Sequence, residues 1–150
     1  MALKAQGLTA IRLAPGEREG MAAALAKAGL PSEDIAASDG LFWRFEQDAV
    51  PIGFGGLEIR GADALLRSVM TLPPARARGL GGAIVAAIEA EAGLRRCRAI
   101  YLLTISGAAF FERLGYAACD RADVPPAVRA SQQFAVLCPA SAAVMVKRLS

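Results

Sequence analysis

Arg76, Arg78, Gly79, Gly81 and Gly82 stand within TLPPARARGLGGAIVAAIEAEA (Thr71 to Ala92), where two guanidinium groups and three glycines run directly into a helical pattern. The chemistry such a stretch does is anion binding. A helix start turns unpaired backbone N–H groups outward and carries the positive end of the dipole. Glycine removes the side chain that would hold a ligand off the backbone, and arginine adds charge and forked donors. Two common phosphate loops fail on the residues. A Walker A loop ends in Gly-Lys-Ser/Thr, whereas Gly82 is followed by Ala83 and Ile84. A dinucleotide fingerprint with glycines at 79 and 81 needs a third where Ile84 stands, and an acid where the next strand ends in Leu103 and Thr104. The reading without a ligand is that Gly79 to Gly82 only allow tight helix-sheet packing, with solvated arginines.

Composition narrows the rest. The 150 residues fit one domain with a single core, and the net charge of +3 is modest and dispersed. That pattern does not suggest a nucleic-acid protein. The absence of histidine excludes Ser-His-Asp and Cys-His mechanisms and histidine-ligated metals. Cys97, Cys119 and Cys138 are odd in number and lack a CxxC, so they predict neither a disulfide framework nor a metal site. Hydrophobic residues make up 55% of the chain, yet no apolar run reaches the roughly 18 residues of a membrane span. MALKAQGLTAIRLAPG lacks an h-region, so the expectation is a soluble, cytoplasmic protein with no membrane partner.

The elements that must position these residues follow from periodicity. Leu8 to Ala14 alternates like a half-buried strand, and PGEREGMAAALAKAGL reads as a helix closed near Gly29. Pro31 to Ser38 predicts a short helical piece. Leu41 to Gln47 and Ile52 to Arg60 form a hairpin about Asp48 to Pro51, and Ala64 to Leu72 is a nearly continuous apolar, central strand. A helix from about Gly81 to Ala92 buries Leu80, Ile84 and Ile88, and the strand Arg98 to Thr104 completes a parallel crossover. A short helix, Gly107 to Leu114, ends at Gly115. A strand near Tyr116 to Arg121, a helical turn at Pro126 to Ala130 and a last strand near Ala142 to Leu149 close the chain. The fold class is α+β, a mixed and mostly antiparallel sheet with one parallel crossover and flanking helices.

Two of these stretches together resemble one family. Pro73, Arg76, Gly79 and Gly81 are similar to the R-x-x-G-x-G/A motif of the GNAT N-acetyltransferase superfamily, and Gly107, Phe110, Phe111, Gly115 and Tyr116 resemble its second signature. The order of elements agrees across nearly the whole chain. The resemblance implies acetyl-CoA as co-substrate, with its pyrophosphate on Arg76, Ala77, Arg78, Gly79, Leu80, Gly81 and Gly82 and its pantetheine arm on Met70, Thr71 and Leu72. It also brings Thr104 and Phe111 to the cofactor, at positions where the family often has asparagine and a tyrosine that protonates the leaving thiolate. Phe111 has no such proton, which leaves that role to water or Ser106.

Acetyl transfer needs a neutral amine beside the thioester, a proton acceptor and a place for tetrahedral negative charge. Glu58 in GLEIRG is the first candidate base and Glu46 the second, with a surface ion pair as the alternative for each. Arg67 and Ser68 interrupt an apolar strand, so Arg67 is a candidate contact for an anionic substrate or the partner in an ordinary ion pair. Trp43 and Phe45 share a strand face as core or substrate-gap wall. Ile100 to Thr104 (IYLLT) and the tail with Cys138-Pro139 resemble the small arsenic-resistance-associated GNAT branch. The acceptor is then a small-molecule primary amine, with an arsenic-containing or phosphinic amino acid as an example. Rival readings are a weak acyl-CoA-binding or sensing protein, motivated by Phe111, and a metalloid-binding protein using Cys138. A homodimer through the final strands is compatible with the sequence.

Overall fold

Period-two alternation in the N-terminal half becomes an antiparallel meander. The structure, a computed structural model, describes residues 2–5, 7–73, 79–137 and 141–149. In chain order its elements are β1 (Ala2–Ala5), β2 (Leu8–Arg12), α1 (Glu19–Lys27), β3 (Leu41–Gln47), β4 (Val50–Arg60), β5 (Asp63–Thr71), α2 (Gly81–Leu94), β6 (Ala99–Thr104), α3 (Ala108–Arg113), β7 (Ala117–Ala118), α4 (Pro126–Arg129) and β8 (Ala143–Arg148). The sheet runs β1-β2-β3-β4-β5-β6-β8-β7. The mixed α+β fold with a single parallel crossover, β5-α2-β6, is the one the sequence predicts. No helix among the described residues is long and apolar enough to cross a membrane.

Alternation decides which helix covers which face. Trp43, Phe45, Leu57 and Leu66 point toward α2 and pack on Ile84 and Ile88. The residues between them face the other way, where Phe42 and Phe54 meet Met21 and Leu25 of α1, and Leu65 and Tyr101 meet Val128 of α4. The glycines of PIGFGG set the depth at which α2 lies. A Cβ on Gly53 would overlap the carbonyl oxygen of Met70 and lie 2.7 Å from Ile84 Cδ1, so only hydrogen fits beneath the helix.

Two expected elements come out differently. Pro31 to Ser38 forms turns rather than a helical piece, because distant groups take its polar atoms. Arg18 Nη1 donates to the carbonyls of Ile35 at 2.9 Å and Ser38 at 2.7 Å, its Nη2 donates to Gly40 at 3.1 Å, and Ile35 is fully buried. The strand expected over Tyr116 to Arg121 shrinks to Ala117–Ala118. Tyr116 turns inward instead, its hydroxyl donating to Glu89 Oε2 at 3.0 Å while Lys147 Nζ reaches the same carboxylate at 3.1 Å.

That tyrosine makes the fold sensitive to alkali. Burial, then the Glu89 carboxylate, pushes the Tyr116 phenol well above its ordinary value. A raised folded-state pKa contributes stability that is complete below the unfolded value of about 10 and is lost as pH rises beyond it. Thermal unfolding should therefore show Tm falling above about pH 10, and Tyr116→Phe should make that fall shallower while lowering Tm at neutral pH. An unchanged alkaline slope in the variant would remove Tyr116 as its source.

Candidate functional site

β5 and β6 are paired at Ala64↔Ile100 and Leu65↔Tyr101, and beyond those two rungs they separate. β5 bends at a bulge, where the register against β4 slips between Phe54 and Gly56. Ser68 sits at that slip with φ +62°, an uncommon conformation for a residue with a side chain. The separation opens a cavity of about 450 Å³. One wall is Leu66, Arg67, Ser68 and Val69 from β5; the other is Leu102, Leu103, Thr104, Ile105 and Ser106 from β6 and its exit. Phe111 of α3 lines it too, and segment 29–33 and Gln133 complete it.

A second hollow of about 430 Å³ shares Leu30 and Val69 with the first and reaches the start of α2 through Met70, Thr71, Gly79, Gly81 and Phe110. The helix start is bare. No side chain caps it, its first turn holds no acid, and its first backbone bond runs from Ile84 N–H to Leu80 O. The N–H groups of Gly81, Gly82 and Ala83 precede that bond and have no partner within the helix. Gly79 adopts φ +66° at the loop's end. A Cβ on Gly81 would lie 3.1 Å from the Phe110 ring, so glycine keeps the approach open.

The expected cofactor residues therefore divide. Met70, Thr71, Gly79 and Gly81 line the hollow, and Thr104 and Phe111 line the gap. Gly82 lies in the first turn of α2, and Leu80 packs against the core beneath it. Leu72 packs beside the α1 cluster, its N–H bonded to Ile52 O at 2.8 Å. Arg76, Ala77 and Arg78, like Cys138, lie outside the described residues. Thr104 Oγ1 accepts the Gly107 N–H at 2.8 Å, which fixes the turn into α3. Ser106 is exposed on the cavity wall.

Four expectations need correction. Glu58 is 1% exposed, and both its oxygens are taken, Oε1 by Arg60 Nη2 at 2.7 Å and Oε2 by Arg67 Nη1 at 2.9 Å. It is the counter-ion of two arginines and does not line the gap. Arg67 does lie on the cavity wall, but its guanidinium is already held by Asp34, through Nη2 to Oδ1 at 2.7 Å and through Nη1 to Oδ2, and by Glu58. Burial opposes its charge, yet its hydrogen bonds to the Asp34 and Glu58 carboxylates, with their negative charge, outweigh burial and hold its pKa above the ordinary value. Trp43 is buried in the core under α2 with Phe45 and does not line the cavity. Glu46, the second candidate base, accepts from Arg44 Nε at 2.9 Å away from the gap.

Sequence reading missed the wall made by segment 29–33 and by Gln133. Glu33 is an exposed carboxylate lining the cavity. The one available signal is Gly29, whose φ of +77° ends α1 and sends the chain back across the gap. Gln133 ends the polar run Ser131-Gln132-Gln133 ahead of the apolar Phe134 to Leu137, and nothing in that pattern marks it as a cavity residue.

Against known proteins, the model of the acetyltransferase (GNAT) domain matches residues 38–118. No curated protein matches the sequence. Among solved structures the chain resembles N-acetylglutamate synthase from Neisseria gonorrhoeae, complexed with coenzyme A and N-acetyl-glutamate, at TM-score 0.77 and 19% identity. That likeness covers 98% of this chain and only 36% of the synthase chain. A putative acyl-CoA N-acyltransferase from Klebsiella pneumoniae is similar at TM-score 0.72 and 22% identity, covering 100% of this chain and 99% of that one. Rv2747 from Mycobacterium tuberculosis, solved with CoA, is similar at TM-score 0.75 and 18% identity over 94% and 99% of the two chains.

Proposed function

Since the chain belongs to the acetyltransferase (GNAT) family, whose domain model spans more than half of it, we propose that it transfers acetyl from acetyl-CoA to a primary amine of a small molecule in a ternary complex. The observation that carries this reading is the open seam between β5 and β6, continuous with the bare start of α2. The pyrophosphate would sit on the N–H groups of Gly81, Gly82 and Ala83. The pantetheine arm would run past Thr71, Met70 and Val69 into the gap, bringing the thioester between Ser68 and Thr104. Coenzyme A in the Neisseria and Mycobacterium structures supports the choice of cofactor.

In the transfer, the amine lone pair attacks the thioester carbonyl, a C–N bond forms as the C–S bond breaks, and CoA leaves as its thiolate. The amine gives up one proton and the thiolate takes one. Glu33 is the carboxylate on the cavity wall, so it replaces Glu58 as the proposed proton acceptor. Ser106 is the proposed proton donor, directly or through water. Holding both substrates in the gap removes the entropic cost of their encounter, a contribution of up to about 7–11 kcal/mol. Phe111 favours a second reading, an acyl-CoA-binding or sensing protein of low turnover, because its ring stands edge-on to Tyr116 at 5.7 Å with no proton to donate. The arsenic-related branch rests on Ile100 to Thr104, which lie in β6, and on Cys138-Pro139, outside the described residues; neither the family match nor the similar structures support it, and it contributes nothing to the choice of acceptor.

Calorimetric titration with acetyl-CoA, followed by thiol release with a panel of amines, tests the reading. Saturable binding with a Kd around 1–100 μM, together with amine-dependent thiol release, is the expected result. Binding without release by any amine would favour the sensing protein, and no binding by a folded chain would refute both.

A further inference from the structure

Gln133 carries an unmet need. It opens the π-turn Gln133–Leu137, lies on the cavity wall and is 4% exposed. Its side-chain Oε1 is buried without a hydrogen-bond partner among the described residues. A buried acceptor left unpaired keeps its full desolvation penalty, so such atoms call for a donor that the fold does not supply. Single π-turns are frequent at functional sites. The other two unpaired buried side-chain atoms among the described residues, Arg18 Nε and Arg60 Nε, are donors whose guanidiniums bond through their terminal nitrogens.

The electrostatics of the same cavity limit what can bring that donor. Arg67 meets Asp34 through a bidentate pair and Glu58 through a third bond, so its charge is already balanced. Glu33 adds a negative charge to the wall. An acceptor carboxylate would have to displace Asp34 or be buried beside these carboxylates, and both outcomes are unfavourable. Apart from the hydroxyl residues Ser68, Thr104 and Ser106, the remaining lining side chains, including Leu30, Leu66 and Leu102, are apolar, and Ile105 stands 75% exposed at the rim.

Building on the acetyl-transfer reading, we infer that the acceptor site takes a primary amine on an apolar body without a carboxylate, one amine N–H being donated to Gln133 Oε1 once the side-chain amide turns that oxygen toward the cavity. That hydrogen bond leaves the nitrogen lone pair free to face the thioester. It also rewards a hydrogen-bond donor at this position over an apolar group of similar shape.

The test uses matched acceptors that differ by a single carboxylate: 2-phenylethylamine against L-phenylalanine, and 3-methylbutylamine against L-leucine. At least one amine of the two pairs should exceed its amino acid by about 100-fold in kcat/KM. Gln133→Leu should lower kcat/KM for that amine by roughly 10- to 100-fold. Its acetyl-CoA affinity should be unchanged and its Tm unchanged or higher, because an orphaned acceptor has been removed. A merely structural glutamine would instead lower Tm. Gln133→Met, closer in shape, carries the same expectation should the leucine variant fail to fold. Equal or better use of the amino acids, turnover of neither class with acetyl-CoA bound, or full activity in Gln133→Leu would each overturn the inference and leave the cofactor reading standing. Failure of the wild type to bind acetyl-CoA would bring down the reading and the inference together.

Discussion

Arg67→Leu should unfold with a Tm roughly 6–20 °C below that of the wild type. The range converts the 3–5 kcal/mol lost when one partner of a buried ion pair is removed at about 2–4 °C per kcal/mol for a chain of this size. The loss is large because the side chain of Arg67 is 0% exposed and those of its partners, Asp34 and Glu58, are 15% and 1% exposed. Without the guanidinium, Glu58 keeps only Arg60, and Asp34 no longer ties segment 29–33 to β5. Replacing Asp34, Glu58 and Arg67 together by leucine should recover most of the loss, since an apolar cluster of similar volume avoids the desolvation of three charges. A single variant within about 1 kcal/mol of wild type would show that the network is solvated in solution and contributes as a surface pair does.

Gly81→Glu should reduce acetyl-CoA affinity at least about 100-fold, a loss of about 2.7 kcal/mol or more, while leaving the fold intact. The two halves of that statement have one cause. A carboxylate at the first residue of a helix interacts favourably with the N–H groups and the dipole, so the substitution supports α2 by some 0.3–1 kcal/mol. The same carboxylate occupies the groups proposed to hold the pyrophosphate and repels its charge. Sterically, the new Cβ needs the Phe110 ring, 3.1 Å away, to give by a few tenths of an ångström. Gly81→Ala therefore separates the terms: it keeps the crowding without the charge and should cost only a few-fold in affinity. Calorimetry of both variants, with circular dichroism as the fold check, decides the matter, and undiminished binding by Gly81→Glu would move the pyrophosphate elsewhere.

Local signals were readable in the amino-acid sequence and distant pairings were not. Gly79 to Gly82 followed by Ile84 and Ile88 carries its own period, so the loop and α2 could be placed. The crossover followed from an apolar strand on either side of that helix. Arg67 and Glu58, by contrast, were read as reagents because a charge inside a strand looks available until its partner is known. That partner, Asp34, is 33 residues away, in a segment with no period of its own. Trp43 has the composition of a ligand contact and the burial of a core residue, and only the position of α2 tells the two apart. Glu33 and Gln133 reach the cavity by chain reversals that no spacing rule foretells.

The two-rung ladder between β5 and β6 has a consequence for the sheet itself. Its two rungs, as few as those that hold the edge strand β7 to β8, are all that join five strands on one side to three on the other. Beyond it, the facing edges keep their backbone groups but lose each other, and a lone sheet edge is a template for anything that presents amides in extended form. The pantetheine arm of acetyl-CoA is such a chain, with two amides along its length. Seated in the gap, it would be a ninth strand made of cofactor, supplied afresh with each turnover and withdrawn when the thiol leaves. The protein would then be a sheet whose last piece of secondary structure is its substrate, stiff when loaded and parted along one seam when empty.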